Sequence, residues 1–157
     1  MQHHRQAQEN SDRDAGICDR LRNILTKDAN ILVDEPENYN VKTVASFFRP
    51  DAQSHADPYI VFATLRYDSI ESAEKAAEGF GGVCAFSEKE EPGTLGYNVL
   101  HDVSNPEIVR TFEVYVDQAY LWDPHASSDA VQENKKRQGD TRLGVDFVFL
   151  KFVAGIF

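Results

Sequence analysis

Cysteine is nearly absent. The 157-residue chain holds two, Cys18 and Cys84. Two do not make a disulfide framework, so reduced thiols of an intracellular protein are the expectation. Long apolar runs are missing too, and none approaches the roughly 20 residues that a membrane helix needs. The N-terminus, MQHHRQAQENSDRD, has no apolar stretch of the secretory kind. A cytoplasmic protein without a membrane partner is therefore expected. Clustered positive charge is also lacking: 16 Lys and Arg stand against 26 Asp and Glu, for a net charge of −10. Nucleic acid is excluded as a partner on that ground, because phosphate neutralisation needs clustered cations. No G-x-G-x-x-G or P-loop occurs, so a nucleotide cofactor has no motif. No His, Cys or carboxylate grouping has metal-ligand spacing, and His3-His4 falls in the polar tail. Neither a metal nor a cofactor is expected.

Aromatic bulk is plentiful. Ten Phe, six Tyr and one Trp, in a chain 41% hydrophobic and 27% charged, suffice for a core or a pocket. The length fits one domain, or one domain plus a fragment. Residues 1–13 carry no periodic apolar residues and read as a disordered tail. Ile17, Leu21, Ile24 and Leu25 then form one helical stripe, with Asp14 as a candidate N-cap. Val41–Phe48 reads as a strand. The polar, proline-flanked segment Arg49–Pro58 reads as a connector between two pieces, 14–57 and 58–157.

The second piece is more regular. Tyr59–Tyr67 is β-branched and aromatic, hence a strand. Asp68 and Glu71 fit a capping box that opens a helix with Ile70, Ala73, Ala77 and Phe80 on one stripe. Gly79, Gly81 and Gly82 predict a kink in it before a continuation over 83–89. Glu91-Pro92-Gly93 reads as a structural stop, with Gly93 supplying a positive φ in the turn. Strands over 95–103 and 107–116 form a hairpin. Alternation puts Val109, Thr111, Glu113 and Tyr115 on one face of the second and Arg110 and Phe112 on the other. A short helix near 117–122, another over 128–138 and an apolar strand over 145–153 complete the chain. The order β-α-β-β-α-β predicts an α+β, ferredoxin-like antiparallel sheet with helices on one face. The other face then needs a cover, either a second copy of the chain or residues 14–48.

An internal similarity bears on that cover. Val41–Phe48 aligns with Leu150–Phe157 at a constant offset of 109, with Lys, Val, Ala and the last Phe identical. Either two apolar strands look alike by chance, or residues 14–48 are the second half of a duplicated unit whose first half is missing.

The motifs Glu91-Pro92-Gly93, Tyr97, Glu113-x-Tyr115 and His125 followed by Ser128 resemble those of the antibiotic biosynthesis monooxygenase family of dimeric α/β barrels. The resemblance covers residues 59–157 and is greatest to the duplicated fungal form. The chain departs from the family pattern at Tyr115, where Trp is common, and at Asn98, where an acid is common. The resemblance implies a homodimer and a secondary-metabolism enzyme acting on an aromatic polyketide or phenol. It implies cofactor-independent oxygenation begun by proton abstraction. A cyclase, dehydratase or isomerase would need the same equipment, and a non-catalytic dimeric ligand-binding module is the alternative from another class.

His125, Glu113 and Tyr97 are the expected catalytic residues. An imidazole titrates near neutrality, which suits a general base. Glu113 would take a proton or orient His125, or else hold a loop amide. Tyr97, Asn98 or Arg110 would hold an oxyanion, although a surface salt bridge also suits Arg110. Asn98, Arg110, Tyr115, Trp122 and His101 are the expected substrate contacts. The pocket is expected between the sheet and its helices. Cys84 reads as a buried apolar residue.

Overall fold

The computed structural model describes residues 39–151, and these fall in one compact unit that begins at Tyr39. The expected tail and the helix over 14–25 lie outside the described residues, as does most of the C-terminal copy of the repeat. The strands are β1 (Val41–Phe48), β2 (Tyr59–Tyr67), β3 (Thr94–Asp102), β4 (Ile108–Tyr115) and β5 (Arg142–Lys151). Two helices, α1 (Ile70–Glu90) and α2 (Asp129–Gln138), stand between them. All pairings are antiparallel, in the order β1-β3-β4-β2-β5. Elements β2 to β5 with both helices form the expected ferredoxin-like α+β unit.

β1 is the difference. It extends the same sheet at the β3 edge, with Phe47 opposite Tyr97, so the expected boundary after residue 57 falls inside the unit. Arg49 ties this addition down. Its guanidinium donates to the carbonyls of Thr94, Ser87, Glu88 and Glu91 at 2.9–3.1 Å. Three of these lie at the C-terminal end of α1, where carbonyls lack helical partners and a cation is favoured.

α1 runs unbroken for 21 residues, without the kink that three glycines predicted. Gly79 serves packing instead. A Cβ there would fall 2.2 Å from Asn134 Oδ1, so the glycine makes room for the buried Asn134 side chain of α2. Ser69, not Asp68, caps the N-terminus, accepting from Ser72 N at 3.2 Å. Ala73, Ala76, Ala77, Val83 and Cys84 are buried along α1. With Phe47, Leu65, Tyr97, Val99 and Val109 they make the main core between helix and sheet. Small residues on the stripe let the helix lie close over the strands. Ile70, placed on that stripe by periodicity, is exposed.

The second sheet face is differently furnished. Phe48, Val148 and Leu150 are exposed on it. Tyr39 stacks on Phe62 and covers the Arg110 guanidinium at 3.7 Å. Among the described residues no helix is long and apolar enough to cross a membrane.

Candidate active site

A cavity of about 160 Å³ lies between the helix-side face of the sheet and the segments that cover it. Val61, Ala63 and Leu65 of β2 and Val145, Phe147 and Phe149 of β5 form its floor. Phe80, Leu121, Trp122 and Val131 wall it, and Tyr97, Thr111, Glu113, His125 and Arg142 supply its polar groups. The alternation that makes half-buried strands explains the composition: every second residue of four strands points to this face.

His125 is positioned by an irregular turn. Asp117 caps the short helix Gln118–Tyr120 through Tyr120 N at 2.8 Å. The chain then widens into a π-type turn over Leu121–His125, closed by Ala126 N donating to Leu121 O at 2.9 Å. Asp123 leaves helical geometry inside it, and Ser128 caps α2 immediately afterwards. His125 is thereby buried at the top of the cavity, with its ring 5.1 Å from that of Tyr115 and 5.7 Å from that of Tyr97.

Its partner is Glu91. The imidazole Nδ1–H donates to Glu91 Oε2 at 2.7 Å, and Thr94 Oγ1 donates to the same oxygen at 2.9 Å. A carboxylate accepts only, so this bond fixes the tautomer and turns the Nε2 lone pair away from Glu91. Among the described residues Nε2 has no hydrogen-bond partner, and His125 lines the cavity. Burial raises the Glu91 pKa, but the hydrogen bond and charge of His125, helped by Thr94, outweigh it and hold the carboxyl below its usual value. Glu91 sits where α1 ends, its N–H bonded to Ser87 O and its carbonyl held by Arg49 and Thr94 N. Gly93 completes the corner without a positive φ, which among the described residues belongs to Gly139. A Cβ on Gly93 would fall 2.3 Å from the Tyr120 ring, so close approach, not backbone twist, requires glycine there.

On the floor Glu113 accepts from Thr111 Oγ1 and from Tyr115 OH, both at 2.6 Å. Burial, and then the neighbouring negative charge of Glu113, push the Tyr97 and Tyr115 phenols well above their ordinary pKa. Both rings therefore keep their protons as donors.

The structure thus brings His125, Glu113, Tyr97 and Trp122 to one cavity. Four other residues do not line it. Asn98 lies on the opposite sheet face and donates to Phe112 O at 3.4 Å. Arg110, on that same face, is buried in an ion pair with Asp102 at 2.8 Å and donates to Thr64. It is neither an oxyanion holder beside His125 nor a surface salt bridge. His101 shares the Tyr97 face but sits at the far end of β3, its Nε2–H donating to Pro106 O at 2.8 Å. Tyr115 lies beneath His125 and spends its hydroxyl on Glu113. Glu113 in turn does not orient His125, because Glu91 does. Cys84 is buried, and burial pushes its thiol up to about 11, so it stays protonated. Among the described residues no three His, Cys, Asp or Glu side chains group as metal ligands would.

A ferredoxin-like sheet whose helix-side cavity is lined by an imidazole backed by a buried carboxylate defines a small α+β domain with a cavity on the helix side of its sheet. Residues 58–137, just over half of the chain, match the family model for antibiotic biosynthesis monooxygenase, and the chain belongs to that family. Solved structures with the same fold include a provisionally assigned monooxygenase of Lactobacillus acidophilus. It is 17% identical with a TM-score of 0.57, over 71% of this chain and 49% of that one. A provisionally assigned antibiotic biosynthesis monooxygenase of Caulobacter crescentus is 22% identical, TM-score 0.56, over 64% and 93%. A provisionally assigned monooxygenase of Fusobacterium nucleatum is 19% identical, TM-score 0.57, over 74% and 54%. The chain spans about half the length of the Lactobacillus and Fusobacterium proteins. No match is found among curated proteins.

Proposed function

We propose that this protein is a cofactor-independent oxygenase of phenols in which His125 is the general base. The observation that carries the reading is the 2.7 Å bond from Nδ1 to buried Glu91, on a residue that lines a mostly apolar cavity and whose Nε2 has no partner among the described residues. Nε2 takes the phenol proton, and the Glu91 carboxylate stabilises the imidazolium that forms. Tyr97 donates to the resulting oxyanion. The electron-rich phenolate carbon reacts with O₂; its C–H becomes C=O, a quinone forms and the second oxygen leaves as water. We take a single ring as the reacting group, since a space near 150 Å³ holds about one benzene, with any further length of the substrate lying along the part of the cavity open to solvent.

The test is turnover of simple phenols by metal-free protein, in air and under argon. Quinone in air alone is the expected result, with the rate lost in His125→Gln. Product under both gases would replace oxygenation with an isomerase-type reaction from the same base.

We also propose a homodimer. The open sheet face and the β5 edge carry Phe48, Phe147, Val148, Phe149 and Leu150 with 43–55% exposure, more apolar surface than one element of a monomer normally shows. Sedimentation should give twice the chain mass, and Phe48→Asp should return it to one.

A further inference from the structure

The cavity has a second polar end that the proposed chemistry does not use. Arg142 lines it from the start of β5, where it pairs with Tyr67. The His125 end lies six residues back along β2, at the row Phe149–Val61–Glu113. Apolar side chains, chiefly Leu65, Val145 and Phe147, separate the two ends.

Five arginines fall within the described residues. Arg66, Arg110 and Arg137 face carboxylates, and Arg49 donates to four carbonyls. Arg142 differs: among the described residues its side chain makes one hydrogen bond, a long one, Nη1 to Gln138 Oε1 at 3.4 Å. Among the described residues it faces no carboxylate, although the chain holds 26 acidic residues against 16 basic ones. A half-buried guanidinium with unspent donors beside an apolar cavity is matched best by a carboxylate, which its planar fork binds through two parallel bonds.

We propose that Arg142 is a specificity-determining residue that receives the carboxylate of a one-ring substrate whose phenol lies at His125. The preferred ligands are therefore hydroxyaryl carboxylic acids, and neutral phenols bind less well. This rests on the cavity being the substrate site.

Trp122 is the sole tryptophan of the chain and lines the cavity, so its fluorescence reports binding without turnover. Six strand residues span about 20 Å, of which the Arg142 side chain covers about a third, so the probes are three acid–amide pairs of increasing reach: 4-hydroxyphenylacetate, 3-(4-hydroxyphenyl)propionate and 5-(4-hydroxyphenyl)pentanoate, each beside its uncharged amide. The best-fitting acid should bind about tenfold or more tightly than its amide, the range of a charge-assisted hydrogen bond. Arg142→Gln should bring that ratio close to one, Arg142→Lys should keep part of it, and His125→Gln should leave it intact. Equal binding of acid and amide to the native chain overturns the carboxylate site and leaves the cavity reading standing. A preference that survives Arg142→Gln overturns the assignment to Arg142. No saturable change with any pair overturns both.

Discussion

Two acid–base pairs are buried on opposite faces of one sheet. Asp102 with Arg110 lies on the open face, and Glu91 with His125 on the helix side. The first pair is closed. Asp102 Oδ1 accepts from Ser104 N and Asn105 N, and Oδ2 from Arg110 Nε and Nη2. Arg110 Nη1 goes to Thr64, and Tyr39 covers the guanidinium. Among the described residues the second pair is left open at two atoms: Glu91 Oε1 is buried without a hydrogen-bond partner, and Nε2 is unspent on a residue that lines the cavity. Burial and ion pairing alone are common to both. On the proposed function, the open valence at the cavity separates a pair that holds a fold from one equipped to move a proton.

The sharpest way to break this comparison is to remove one member of each pair. Arg110→Met leaves Asp102 buried without its counter-charge and should cost about 3–5 kcal/mol of stability, read as a lower urea midpoint. His125→Gln still offers an N–H to Glu91, so the midpoint should barely move. Turnover should fall by about 10²–10⁴, the span expected for a general base. Loss of stability in both variants with equal loss of activity would erase the distinction.

Glu91→Gln probes the same pair more gently. The amide oxygen still accepts from Nδ1–H, so the tautomer survives. The negative charge that favours the imidazolium does not. kcat should drop about tenfold, as for a charge-assisted hydrogen bond. A role confined to packing would lower the urea midpoint and leave kcat in place.

Acid should act on both faces at once. Burial raises the Asp102 pKa, but Arg110 and the N–H groups of Asn105 and Ser104 outweigh it and hold it below its usual value, as His125 does for Glu91. A carboxyl with a depressed folded pKa binds fewer protons native than unfolded. Its contribution is thus present above about pH 4, the unfolded range, and is lost as pH falls through the folded value. Tm should decline below about pH 4. Asp102→Asn and Glu91→Gln should each be less stable at pH 7 and flatten part of that decline.

The strands of this sheet were legible because β-branched and aromatic runs end at Pro58, Asp68, Pro92 and Pro106. The two faces of β3 and β4 were legible from alternation as well. Which face the helices cover was not, since Val99 and Leu100 suit either, and so Asn98 and Arg110 were expected beside a cavity that lies behind them. Glycines in α1 read as breakers because a sequence shows their flexibility but not Asn134 approaching from α2. Glu91 was missed as a site residue for a related reason. Its position after a helix and before Pro-Gly accounts locally for a stop, while the reason it is a glutamate stands 34 residues away at His125. His125, Glu113 and Tyr97 were expected from the family motifs and from the chemistry of their side chains, and all three line the cavity. Arg142 was overlooked because one arginine in a charged chain carries no pattern.

Trp122 offers the smallest test. It is 57% exposed at the cavity mouth, so little of its surface depends on the fold. Trp122→Ala should leave the urea midpoint unchanged. If the ring stacks on an aromatic substrate, its loss removes about 0.5–1.5 kcal/mol of binding, a KM two- to tenfold higher. kcat should hold, because the contact is present equally in the bound and reacting states. A fall in kcat with KM unchanged would mean that Trp122 positions the turn carrying His125. The mouth of the cavity would then belong to the proton-transfer pair and not to the substrate.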